Sequence, residues 1–181
     1  AEGENILLVE DVVRAVARFC HKDPDKVFAR VKRNVISMFR GVQTAQALEH
    51  VRHRVKRNVE VRIDKRFEDI TALEKHMIFL INEIKPREMY EDLCERFKTY
   101  VDNNDYAKVL MVFNEKTMLT QCGVAQLCGL QSKDMYLKTI LRILKHEGPE
   151  AKAIRDAIVR CFDADNSSSA SFQTKKTNKK Q

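Results

Sequence analysis

Apolar residues recur along this chain at three- and four-residue steps almost throughout, the spacing of helices that bury one face. Between residues 5 and 20, Leu8, Val12, Val16 and Phe19 form one stripe with Val9, Val13 and Cys20 beside it, which predicts a central helix apolar on most sides. His21 to Asp23 then form a turn. Pro24 suits a first helical position, where its missing N–H would be unpaired anyway, and Gly41 is placed to end that second helix. From residue 44 to 70 neither Gly nor Pro interrupts, and Leu48, Val51, Val55, Val59, Ile63 and Phe67 predict one long helix. The alternation of Val59, Val61 and Ile63 with Glu60, Arg62 and Asp64 also fits a short strand.

Thr71 followed by Glu74 reads as a capping box, opening a helix that ends near Lys85. Pro86 opens the next, whose Met89, Leu93, Phe97 and Val101 fall at i+4 steps until Asn103, Asn104 and Asp105 stop it. Tyr106, Val109, Leu110 and Phe113 predict a short helix, although Val109 to Phe113 also fits a buried strand. Residues 117–128, 132–147 and 149–162 read as three more helices, separated by Gly129 and by the Gly148-Pro149 pair. The expectation is an all-α, irregular bundle of about eight helices. It divides into a basic lobe over 1–69 and a second lobe over 70–163. Residues 164–181 are Ser, Asn, Thr, Gln and Lys with a lone Phe172, too polar to offset ordering entropy, and are expected to be disordered.

Composition narrows the class. Only 5 Gly and 3 Pro in 181 residues exclude collagen-like and linker-like chains and leave too few turn residues for a hairpin-rich fold. Apolar stretches such as Ile6 to Val9 and Met77 to Ile81 fall far short of the roughly 18 residues that span a bilayer, so no membrane role is expected. The chain opens on Ala1 without a charged-then-apolar leader, which suggests a piece of a longer polypeptide. Cys20, Cys94, Cys122, Cys128 and Cys161 are odd in number and occupy apolar helical positions, so reduced thiols and a nuclear or cytoplasmic location are expected.

Charge brings in function. The net charge is +7, but residues 26–66 hold twelve cations against Glu49, Glu60 and Asp64, so this one segment carries +9. A basic amino-terminal half and an acidic remainder suit phosphates on one side and proteins on the other. The hexapeptide Arg-Val-Lys-Arg-Asn-Val occurs at Arg30 to Val35 and again at Arg54 to Val59. In both copies the valines join the apolar stripe and the cations project elsewhere. Two consecutive helices are therefore expected to present similar basic ridges, with Arg30, Lys32, Arg33, Arg40, Arg52, Arg54, Lys56 and Arg57 contacting phosphates. The nearby aromatics Phe28, Phe39 and Phe67 lie on apolar stripes, so stacking on unpaired bases is not indicated.

Residues 121–140 have helix-turn-helix spacing, with small Ala125 at the crossing point and Gly129 at the turn. Val124, Cys128, Leu130 and Met135 fill the apolar positions and Ser132 is placed to cap the second helix. That helix would offer Lys133, Tyr136, Lys138 and Arg142 for contact. Lys138 stands where an inward apolar residue is usual. Helices over 70–101 precede this unit in winged-helix-like order, but no pair of wing strands follows Leu144.

Other chemistry is set aside. Ile6-Leu7-Leu8-Val9-Glu10-Asp11 resembles the first strand and acidic pair of phosphorelay receiver domains, yet helical spacing continues straight through Val12, Val16 and Phe19. His50 and His53 share a helix face, but nothing completes a metal shell inside a cationic run, so no metal or other cofactor is expected. There is no Gly-rich phosphate loop, nucleophile elbow or Cys-His signature, and neither catalysis nor a small-molecule substrate is inferred. Glu88, Glu91, Asp92 and Glu95 read as a solvated acidic surface. Ser167, Ser168, Ser169 and Ser171 precede Lys175, Lys176, Lys179 and Lys180, whose polyanion affinity phosphorylation would weaken. The sequence thus points to a nuclear, non-enzymatic nucleic-acid-binding module. The alternative is a protein-interaction scaffold or assembly subunit whose basic face docks an acidic partner.

Overall fold

A computed structural model of the chain describes residues 3–64 and 66–170, with side chains described over 4–64 and 66–163. It is all-α, with no strand among the described residues. A 3-10 helix, Gly3–Leu8, is followed by α1 (Glu10–Phe19), α2 (Pro24–Arg62), α3 (Ile70–Ile84), α4 (Pro86–Asp102) and α5 (Tyr106–Val112). Two single turns, α6 (Met118–Gln121) and α7 (Val124–Leu127), lead to α8 (Lys133–Lys145) and α9 (Pro149–Ala170).

The described residues form two compact units, one of residues up to Val35 with those from Glu115 onward, the other Ile36–Asn114. The division falls inside α2, and the expected lobe boundary at 69/70 lies inside the second unit.

In the first unit α1 is the central element: Val12, Val13, Ala15, Val16 and Ala17 are completely buried, as its stripe predicts. It packs against α8 and α9, where Ala151, Ile154 and Ala157 are buried. The expected helix over 5–20 is broken, because Val9 is extended (φ −60°, ψ 148°) and the residues before it wind as a 3-10 helix against α6. In the second unit Phe39 meets Phe97 and Phe113 edge-on at centroid distances of 5.3 and 5.2 Å, over Leu93, Val101, Val109 and Leu110. Edge-to-face geometry is what the ring quadrupoles favour.

Several boundaries differ from the sequence pattern, each for a local reason. Gly41 does not end a helix. It sits in the interior of α2, exposed, while Phe39 and Ala47 on either side are fully buried and hold the helix through its weak position. The strand alternatives at 59–63 and 109–113 are not adopted, since α2 runs to Arg62 and α5 to Val112. Thr71 does not cap α3. Asp69, extended at φ −153°, accepts the Ala72 amide at 2.8 Å and starts the helix two residues earlier. The expected helix over 117–128 is split at Gly123, whose φ of +74° no continuous helix permits.

Other signals hold. Pro24 and Pro86 open α2 and α4, Asn103 and Asn104 follow the end of α4, and the Ser132 hydroxyl accepts the Met135 amide. Past Phe162 the helix α9 continues to Ala170, into the first residues of the expected tail. The rest of the expected tail, with Phe172 and the four lysines, lies outside the described residues.

Candidate nucleic-acid interface

The two copies of the hexapeptide lie on one helix, α2, and not on two consecutive helices as expected. Each copy belongs to a different unit. In the first unit, the Asp23 carboxylate accepts the amides of Lys26 at 3.2 Å and Asp25 at 3.0 Å, capping α2. The Lys26 amide leads the interactions that hold this carboxyl below its usual range. Val27, Phe28, Val31 and Val35 turn inward, leaving Lys26, Arg30 and Arg33 exposed at i, i+4 and i+7. Lys32 is half-buried, and Asn34 is held by donating to the Cys122 carbonyl at 2.9 Å.

Lys26 lies 3.5 Å from Asp23, whereas Arg30, Lys32 and Arg33 form no salt bridge among the described residues. A shallow, open depression of about 380 Å³ is lined by Lys22, Asp23, Lys26, Val27, Arg30 and Leu127. Its cationic rim includes Lys22, a turn residue that the sequence reading passes over. A Cβ on Gly129, at φ +78°, would stand 3.0 Å from Lys22 Cε, so the turn glycine is what lets this side chain approach. No sequence spacing announces that contact.

In the second unit Ile36, Phe39, Ala47 and Val51 face inward, and Arg40, Arg52, Arg54, Lys56 and Arg57 are exposed. Glu49 engages both Arg52 and His53, the latter at 2.9 Å. Partial desolvation opposes its ionisation, yet Arg52 and His53 together keep the carboxyl below its usual range. Lys56 lies 3.8 Å from Glu60. Arg40, Arg54 and Arg57 form no salt bridge among the described residues. His50 is structural rather than a metal ligand: its Nε2 lies 2.8 Å from the Val112 carbonyl and its ring packs on Phe97. Among the described residues no cluster of His, Cys, Asp and Glu could hold a metal ion.

The helix-turn-helix reading needs correction. Its first helix is the single turn α7, although Ala125 and Cys128 are buried and Gly129 makes the turn as expected. Tyr136 is fully buried, with its hydroxyl donating to the Leu7 carbonyl at 2.9 Å, and is closed to any contact with DNA. Thr139, Ile140 and Ile143 accompany it inward, so Lys138 faces out and the apolar position expected there belongs to its neighbours. Met135, expected inside, is 44% exposed. Lys133 is neutralised by Glu4 at 2.7 Å. What α8 presents outward is Asp134, Met135, Lys138, Leu141, Arg142 and Lys145, of which only Lys138 and Arg142 were expected as contacts.

No protein family, curated protein or solved structure matches this chain. No helix of the described residues is long and apolar enough to cross a membrane.

Proposed function

We propose that this chain is a nuclear, non-catalytic helical module that binds nucleic acid through its phosphates. Lys26, Arg30, Lys32 and Arg33 supply the contacts from one unit; Arg40, Arg52, Arg54, Lys56 and Arg57 supply them from the other. The observation that carries this reading is the set of unpaired guanidinium groups on α2. Arg30, Arg33, Arg40, Arg54 and Arg57 are all exposed with no carboxylate partner among the described residues. Unpaired surface arginines hold counterions, and a phosphate backbone that displaces them gains the entropy of their release.

If about five phosphates of duplex DNA are neutralised, log K falls against log salt with a slope near −4 to −5. A gel-shift series with duplex DNA, single-stranded DNA and RNA at several salt concentrations measures it. Replacing Lys32, Arg33, Lys56 and Arg57 together by Glu abolishes binding and leaves helicity intact. Micromolar or weaker binding with no dependence on salt refutes the proposal.

A second reading, docking of an acidic protein, is favoured by α8. Leu141 is 60% exposed between Lys138 and Arg142, and an apolar side chain gains nothing from a phosphate backbone. Leu141→Ser separates the two, since it weakens protein docking and spares nucleic-acid affinity.

A further inference from the structure

The depression at the start of α2 gathers cations from two segments of the first unit. Lys26 and Arg30 stand one turn apart on the helix, and Lys22 comes from the turn before it. That turn is fixed: His21 has a φ of +55°, its amide donates to the Arg18 carbonyl at 2.9 Å, and the Lys22 amide donates to the Ala17 carbonyl at 2.8 Å. Lys22 then lies along the turn that follows α7, where a Cβ on Gly129 would stand 3.5 Å from its Nζ. Val27 is buried and Leu127 half-buried, so the wall between the charges is apolar. The one carboxylate of the lining, Asp23, is already committed to the Asp25 and Lys26 amides and lies 3.5 Å from the Lys26 ammonium. It closes the amino end of α2, so an anion in the depression is held by side chains. Three cations against this single carboxylate leave the lining at +2.

We propose that this depression seats a phosphomonoester, supplied by a free nucleotide or by the 5′-phosphate end of a nucleic acid, with Lys22, Lys26 and Arg30 on the phosphate. A monoester offers three terminal oxygens and a charge of about −1.5 to −2 near pH 7, which matches three cations and a lining of +2. A phosphodiester inside a strand has two free oxygens and a single charge, and a carboxylate has no more. The volume of about 380 Å³ stands at the lower end of the roughly 300–1,000 Å³ of ligand pockets, room for one small ligand whose organic part rests on Val27 and Leu127. The inference rests on the functional proposal in taking Lys26 and Arg30 as phosphate ligands. Lys22, which that proposal does not use, separates the two.

Fluorescence anisotropy on the full chain, with a short 3′-labelled duplex carrying either 5′-phosphates or 5′-hydroxyls, is the first arm of the test. The phosphorylated duplex is expected to bind at least about threefold tighter, the gain from added charge contacts at an exposed site. Lys22→Gln removes that preference and leaves the affinity of the 5′-hydroxyl duplex within about twofold, since Lys22 is not among the strand contacts. Lys22 is an exposed turn residue, so circular dichroism should show unchanged helicity. The second arm titrates adenosine 5′-monophosphate by calorimetry, with adenosine as the control and Lys22→Gln as the variant. An end preference without binding of the monophosphate assigns the site to a strand end, and Lys22-dependent binding of the monophosphate without an end preference assigns it to a free nucleotide. Equal binding of the two duplexes together with no Lys22-dependent binding of the monophosphate overturns the inference and leaves the functional proposal standing. Lys22-dependent binding of the monophosphate with no affinity for either duplex supports the inference and overturns the functional proposal, and no binding in either arm overturns both.

Discussion

The hydroxyl of Tyr136 donates a hydrogen bond to the Leu7 carbonyl at 2.9 Å, tying the middle of α8 to the amino-terminal 3-10 helix. Tyr136 has no exposed surface, and the same end of the chain is held to α8 a second time by the Lys133–Glu4 pair. Residues that a recognition helix would aim at bases are here used to fasten the fold.

Tyr136→Phe therefore tests the assignment. It keeps the ring and leaves a buried carbonyl short of one donor, a loss of about 1–2 kcal/mol by denaturant unfolding. Tyr136→Ala, which also empties the ring's site, costs about 3–5 kcal/mol. In both variants, polyanion affinity measured well below the unfolding midpoint stays at the wild-type value. A selective loss of DNA binding in Tyr136→Phe would return this side chain to the interface.

Gly41→Ala distinguishes a continuous α2 from a helix capped at residue 41. A Cβ there meets nothing within 4 Å, so Ala removes the entropic cost of a mid-helix glycine and stabilises by about 0.5–1 kcal/mol. A left-handed capping glycine would give the opposite sign. Gly129→Ala is the internal control, because its φ of +78° and the 3.0 Å approach to Lys22 Cε make it destabilising by about 1–2 kcal/mol.

The start of α3 is tested by a pair of alanines. Asp69→Ala deprives the Ala72 amide of its acceptor and costs about 1 kcal/mol, whereas Thr71→Ala stays within about 0.5 kcal/mol. Equal losses, or a larger one at Thr71, would restore the capping box to Thr71 and Glu74.

Those three positions show what the sequence reveals and where it stops. The all-α class followed from apolar spacing and few Gly and Pro, because each buried stripe is local to its own helix. The cap at Ser132 was legible because it follows shortly after the turn glycine Gly129, whereas Asp69 and Thr71 competed for the start of α3 and the Thr71–Glu74 spacing pointed to the wrong one. Gly41 misled because glycine marks a helix end only when φ is positive, and that depends on tertiary contacts around Phe39 and Ala47. The basic residues of α2 were found by charge alone, and ten of the eleven anticipated contacts carry no distant neutralising partner among the described residues. Lys133 is the exception, since its partner Glu4 is 129 residues away in sequence. Tyr136 was misassigned for the same reason: its acceptor is a backbone carbonyl equally far off, which no helical spacing can anticipate.

The Cys122 and Cys128 side chains lie in the core of the first unit, with relative exposures of 0% and 1%. Burial pushes the Cys122 thiol up to about 11 and, with the nearby Cys20 and Cys122 adding to it, the Cys128 thiol up to about 12. In the unfolded chain both titrate near ~8.5–9. Above that pH the unfolded state releases protons that the folded state retains, so the folded state loses ground. The contribution is complete below about pH 8.5 and declines as pH rises toward 11–12, by about 1.4 kcal/mol per pH unit for each thiol. Urea midpoints should accordingly be flat from about pH 7 to 8.5 and fall beyond it, and Cys128→Ala should make that alkaline fall shallower than in the wild type. An aromatic disulfide reagent at about pH 8 gives a second measurement: the half-buried Cys94 and Cys161 react first, while Cys122 and Cys128 react only at the rate of unfolding. Rapid modification of Cys128 in the native protein, or an alkaline fall unaltered by Cys128→Ala, would mean that this thiol is open to water.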